Sequence, residues 1–283
     1  MAKLKHYGKS FMEEFKKNDI SLLASAQAYH YLLSIVPLLI VCFALIPYFH
    51  IKPDDAISFI SKILPSEMGE IFKENIVSLV QDRQGGLLTV GIIGALWSAS
   101  NGINSFIKSV NKAYDVEESR NFLLVRLIAL GMTLLMIAAL VVAIILPIFG
   151  QVLLHFIQSE IGLDSSLSIV YNILRWVISF VILTLVLMLL YRIAPNKRLP
   201  FKHILPGAVA AGILWLVISA GFSIYVGNFG SYSVTYGSLG GVIILMIWFF
   251  LTAFILLIGA LVNVLYHRQR QKEEKTEHQA ANL

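Results

Sequence analysis

Apolar residues in this chain come in long runs rather than short periodic clusters. Six runs, at about 22–49, 87–107, 123–149, 171–191, 204–226 and 241–265, reach the roughly 20 residues a helix needs to span hydrocarbon. The pattern predicts an all-α, polytopic membrane protein with six transmembrane helices and amphipathic helices at the interface. Pro37, Pro147 and Pro206 fall in or at the ends of these runs, which membrane helices tolerate. Residues 1–20 form an amphipathic leader. Leu4, Tyr7, Phe11, Met12 and Phe15 share one helical face, with lysines around the rest, as in helices that lie in the membrane interface. Residues 21–266 make the transmembrane domain, including an outer loop at 50–86. In that loop, Ile57, Ile60 and Ile63 or Leu64, then Met68, Ile71 or Phe72, Ile76 and Leu79, recur at helical spacing. Two short amphipathic helices packed over the outer face account for them. The segment "GNFGSYSVTYGSLGG" between the last two runs is rich in turn-forming glycine and interfacial tyrosine. Residues 267–283 are charged and polar, and are expected to be a disordered cytoplasmic tail.

The second run breaks the pattern. It continues into "LWSASNGINSFIKSVN", full of amides, hydroxyls and a lysine. Trp97, Asn101, Asn104, Lys108 and Asn111 are spaced four, three, four and three, which places them on one helical face. In the first run, Gln27, Tyr31 and Ser34 share a face with His30 at its edge. Both polar faces fall in the half of their helix nearer the cytoplasm, and Asn263 stands at the same end of the sixth run. Buried amides need partners. They either bond one another and hold helices together, or line a water-accessible cavity that marks a pathway. The cavity candidates are Gln27, His30, Trp97, Asn101, Asn104 and Lys108.

Charge gives the orientation. Only 14% of residues are charged and 57% are hydrophobic, against about 25% charged in soluble domains. Lys and Arg crowd the leader, the loop after the second run, the loop after the fourth and the tail. The positive-inside rule then puts both termini in the cytoplasm, in a plasma membrane. This placement accounts for the net charge of +5 without nucleic acid as a partner. The charged leader argues against a cleaved signal peptide, and the one cysteine, Cys42, allows no intrachain disulfide. None of the 17 acidic residues falls well inside a run, which weakens a cation-driven mechanism built on a buried carboxylate. The seven histidines are scattered, none at metal-ligand spacing. His30 reads as a packing residue. No nucleophile elbow or P-loop lysine occurs, so neither a catalytic site nor a metal or other cofactor is expected. The basic segment "YRIAPNKRLPFKHILPGA" orients the chain and offers Arg192, Lys197 and Arg198 to anionic lipid headgroups. Gly207, Ala208, Ala211 and Gly212 let helices approach closely.

The ordered set "AYHYLLSIVPLL", "LWSASNGINSFIKSVNKAYDVEESRNFLLVR", "YRIAPNKRLP" with "LPGA", and "YGSLGGVIILMIWFF" resembles the YihY/virulence-factor BrkB family of bacterial membrane proteins. The resemblance implies a multi-pass plasma-membrane protein without a settled biochemical activity. Members were once labelled ribonuclease BN, and transport of lipid-like or other amphiphilic molecules has been suggested for them. One departure stands out. The family commonly reads Gly-Ala-Glu-x-Asn near the end of its last span, whereas this chain has "GALVN", with Leu261 in place of the acid. A mechanism that needs that carboxylate does not carry over.

The expected function is transport or flipping of an amphiphile, with membrane lipids and such a substrate as partners. A non-transporting scaffold for envelope machinery is the alternative, and a membrane nuclease fits the residues poorly. Topology is checked by reporter fusions at Asp55, Asp115, Asp164, Asn196 and Tyr232. These should read out, in, out, in, out, and a cytoplasmic signal at Asp55 or Asp164 would overturn the map.

Overall fold

The computed structural model describes residues 2–45, 85–139, 166–228 and 238–281. Both amphipathic helices expected at 50–86, most of the glycine- and tyrosine-rich loop and residues 140–149 of the third run lie outside the described residues. All regular structure among the described residues is helical, in seven helices: α1 (Ala2–Lys17), α2 (Ile20–Leu45), α3 (Gly85–Tyr114), α4 (Phe122–Ala139), α5 (Ser166–Ile193), α6 (Phe201–Asn228) and α7 (Ser238–Ala281). The last four are long and apolar enough to cross a membrane. Only 11–28% of each such stretch is buried within the protein. Exposed Val181, Leu185, Val217 and Ile224 are therefore surface for a bilayer to cover, not a soluble core. The first two predicted spans correspond to α2 and α3.

The tail departs from expectation. Residues 267–281 are not disordered but continue α7. Side-chain pairs one turn apart support this stretch: Gln269 Nε2 donates to Glu273 Oε1 (3.1 Å), Arg270 pairs with Glu273 (3.2 Å), and the Arg270 guanidinium lies 5.5 Å from the centre of the Tyr266 ring.

The chain divides into two compact units, one of residues 1–18, 107–214 and 256–283, the other of residues 19–106 and 215–255. In the first, the helix ends are closed by side chains and tight turns. At the end of α3, Val116 N–H donates to Asn111 O (3.0 Å) and Asp115 N–H to Lys112 O (3.1 Å), with Asp115 in the left-handed region (φ 56°). This is a Schellman cap made with Asp where Gly is usual. Asn121 caps α4, its Oδ1 accepting from Leu124 N–H (2.7 Å). Arg120 caps α5 from outside, donating to Ile193 O (3.4 Å) and Ala194 O (2.9 Å). Arg268 pairs with Glu14, joining α7 to α1.

The core of this unit is the crossing of α6 and α7. Pro206 lies inside α6, where it removes one backbone donor and distorts the turn. The next amide, Gly207 N–H, donates to Asn263 Oδ1 on α7 (2.7 Å, buried). Tyr191 Oη donates to Leu256 O (2.8 Å), threading α5 into the same junction. A Cβ on Gly207 would collide with Gly259 O and the Asn263 carboxamide, and one on Gly259 with the Tyr191 hydroxyl. Two backbones meet here with no room for a methyl group. Gly207→Ala should thus lower stability by about 1–3 kcal/mol, read as a lower unfolding midpoint of the detergent-purified protein. Gly131→Ala on α4, where nothing lies within 4 Å, should leave the midpoint unchanged or raised. Equal midpoints for the two variants would contradict the close crossing.

Candidate functional site

The polar stripe predicted on the second span belongs to α3. Trp97 is 54% exposed, Asn101 and Asn104 are partly exposed and Lys108 is exposed. The back of the helix is closed, with Ile103 4%, Phe106 1% and Ile107 0% exposed. Exposed Val90 and Ile93 continue the same open face towards the start of α3. The stripe is thus turned away from the protein core. Asn111 departs from it. It is buried, its Nδ2 donating to Glu118 Oε2 (2.8 Å) and its Oδ1 accepting from Asn196 N–H (2.7 Å). It belongs to a clasp between two loops, in which Arg120 Nη2 also donates to Glu118 (2.6 Å). Asn196 Nδ2 donates in turn to Glu117 O (3.0 Å) and Ser119 Oγ (2.8 Å). The Arg120 guanidinium, hydrogen-bonded beside it, holds the Glu118 carboxyl below the usual carboxylate range, against some desolvation.

The candidates on α2 take other positions. Gln27 is buried and its Oε1 accepts from Tyr31 Oη (3.3 Å). The Tyr31 ring fills the notch that Gly102 leaves on α3 and meets Phe249 edge-on at 5.9 Å. Ser98 Oγ donates to Leu33 O (3.3 Å). Gln27 thereby joins the packing of α2 on α3 at Ser98 and Gly102, roughly a quarter-turn around α3 from the stripe. The expected shared cavity does not take in Gln27. The reason is the glycine notch, which seats Tyr31, and Gln27 with it, beside the stripe and not on it. His30 stacks edge-on with exposed Tyr29 at 5.7 Å.

Of the headgroup candidates, Lys197 and Arg198 are exposed. Arg192 is half-buried, its guanidinium 5.2 Å from the centre of the Phe201 ring. An apolar groove of about 560 Å³ lies between α6 and α7, lined by Val217, Gly221, Phe222, Tyr225, Ile247 and Leu251.

Two arrangements escaped sequence reasoning. His203 and His267 are 64 positions apart, yet their Nδ1 atoms lie 2.8 Å from each other. Asn263 holds the Gly207 amide while its Nδ2 is buried without a partner. The buried Tyr114 hydroxyl faces it, also without a close partner. Burial pushes the Tyr114 phenol above its ordinary value, partly offset by Asn263. The one available signal was Pro206 followed by glycine, which implies a backbone amide seeking an acceptor. Leu261, standing where the family has an acid, is fully buried and needs no polar partner there. Among the described residues no three His, Cys, Asp or Glu side chains come together as metal ligands.

Comparison with known proteins agrees with this helical, apolar architecture. The chain is 41% identical over 244 residues to the "Putative ribonuclease-like protein YfkH" of Bacillus subtilis, covering 86% of this chain and 89% of that one. It is 27% identical over 263 residues to a UPF0761 membrane protein of Haemophilus influenzae, covering 92% and 94%. A UPF0761 membrane protein of Aeromonas salmonicida matches at 26% over 258 residues, covering 90% and 87%. No solved structure matches the chain. The profile of the family described as "Virulence factor BrkB" matches residues 11–283, and the chain belongs to that family of membrane proteins.

Proposed function

We propose that the protein crosses the plasma membrane six times with both termini in the cytoplasm, and transports or flips a lipid-like, amphiphilic substrate. The observation that carries this reading is the two-faced α3. Its apolar back is buried while Trp97, Asn101, Asn104 and Lys108 stay open. Amides that only glued helices together would be enclosed between them. A polar face left open in this way suits a hydrated path on the cytoplasmic side. Lys108 then meets an anionic headgroup as a point charge, Asn101 and Asn104 bond its polar parts, and Trp97 forms an aromatic wall. Lys197 and Arg198 gather anionic headgroups at the membrane surface. The apolar groove at Gly221 and Phe222 offers a surface suited to acyl chains.

Single cysteines test the path, in a background where Cys42 is replaced. Thiols react as thiolates, which form where water reaches. Cysteines at Asn101, Asn104 and Lys108 should react with a small, membrane-permeant polar thiol reagent, and cysteines at Ile103, Phe106 and Ile107 far less. Both sets share the same depth, so depth alone cannot produce the contrast. Protection at all three polar positions would sink the cavity and favour the scaffold reading, with another protein over the stripe. Asn101→Ala should keep normal abundance, since such an amide contributes only about 0.6 kcal/mol. In proteoliposomes the variant should lose most of the flipping of a fluorescent phospholipid analogue. Loss of abundance ahead of flipping would assign Asn101 to packing.

We also infer that the chain is not an enzyme, although one relative carries a ribonuclease-like name. The purified protein should cleave RNA no faster than background. Metal-dependent cleavage that vanishes on substitution of one of its histidines would overturn this.

A further inference from the structure

The histidine pair sits where α6 begins and where the apolar part of α7 ends. His203 lies in the first turn of α6, and His267 opens the charged stretch His267–Arg268–Gln269–Arg270. Their rings are 5.0 Å apart between centroids and tilted by 50°, with the two Nδ1 atoms at 2.8 Å. That distance is a hydrogen bond, and it constrains protonation. One Nδ1 must carry a hydrogen and the other must be bare. A neutral pair meets the condition through complementary tautomers. A singly protonated pair meets it with a stronger, charge-assisted bond. A doubly protonated pair fails, because two N–H groups then point at each other.

The surroundings sharpen the condition. His267 is 7% exposed, and its Nε2 is buried without a partner. Asn263, one turn back on α7, presents its own unpartnered amide. The Tyr266 ring stands edge-on to His203 at 5.8 Å. The charged groups acting on His267 are Lys197, from the turn before α6, and Glu274, further along α7. Burial first, then Lys197 and the neighbouring His203, disfavour a positive charge on His267, and Glu274 favours it.

We propose that His203 and His267 form a proton-binding site that holds one proton and fastens the first turn of α6 to α7. The ligand is the proton itself. The first is shared across the Nδ1–Nδ1 bond, and the second breaks it. The fastened segment carries Lys197, Arg198 and Lys202, so acid loosens the basic turn nearest the pair. The site uses none of the stripe on α3 and stands or falls apart from the transport reading.

The test follows ring-nitrogen NMR signals of the full-length, 15N-histidine-labelled protein in lipid nanodiscs from pH 9 to pH 5. The resonances of His203 and His267 are assigned through His203→Asn and His267→Asn. Asparagine places an amide near the Nδ1 position, and that amide can donate or accept. The contact therefore persists in either variant whatever the charge of the remaining histidine. In the native protein both residues should report the same two steps, about one unit or more apart, as coupled sites do. In His203→Asn, His267 should titrate in a single step. Independent single-step titrations in the native protein would overturn the proposal, as would an unchanged His267 curve in His203→Asn. Should one variant fail to fold, the other and the native curves still decide. No transport is read in this experiment, so its failure cannot be confused with failure of the transport reading.

Discussion

Hydrocarbon offers no partner to a backbone N–H or C=O, so every such group in a membrane-spanning helix must be satisfied from within the protein. The junction of α6 and α7 shows the constraint met at a point of strain. Pro206 opens the helical ladder, and the adjacent Gly207 amide is taken up by Asn263 on the facing helix. That bond needs the backbones close together, which the glycines at 207 and 259 permit. Close approach in turn brings the Tyr191 hydroxyl onto Leu256 O. Proline, glycine, asparagine and tyrosine thus form one interdependent unit. Lipid is as apolar as leucine, and supplies no hydrophobic drive to press helices together. Fit and hydrogen bonding have to hold this crossing.

The same demand shapes the helix ends. An exposed end can use water, but the ends of α3, α4 and α5 carry their own partners. These are a Schellman turn at Asp115, the Asn121 cap and Arg120 on the last carbonyls of α5. Glu118 binds both Arg120 and Asn111, and Asn111 binds Asn196. Two loops of different sequence position are therefore tied together. The left-handed Asp115 carries backbone strain that glycine would avoid, and the clasp beside it holds the loop in place.

Much of the helical layout was legible, because crossing hydrocarbon forces a minimum apolar length on the sequence. The spans at 171–191, 204–226 and 241–265 fall within α5, α6 and α7. The tail was misread because its composition looks disordered while its one-turn pairs at Tyr266, Gln269, Arg270 and Glu273 support a helix. Candidate polar residues were legible as a face but not as a destination. Asn111 has the periodicity of the stripe, yet it is captured by Glu118 and Asn196, groups 7 and 85 positions away. Gln27 packs with Tyr31, whose ring is seated by the notch at Gly102, a contact 71 positions from Tyr31 that no local pattern encodes. The His203–His267 contact spans 64 positions, and no local pattern encodes it.

On the proposed six-span topology, the orientation of α3 is the least expected feature. In water, burying Ile103, Phe106 and Ile107 while exposing amides and a lysine is the default. In hydrocarbon the default reverses: apolar side chains face lipid at no cost, and polar groups gain by turning inward. Solvent preference therefore does not set this rotation; local fit does. The Tyr31 ring seats in the Gly102 notch, and the buried Asn111 is held by two partners at the far end of the helix. A helix held in this rotation is stable in a membrane only where the open face meets water, polar headgroups or another polar surface. That requirement, more than the identity of any single residue, is what makes the face of α3 the place to look for function.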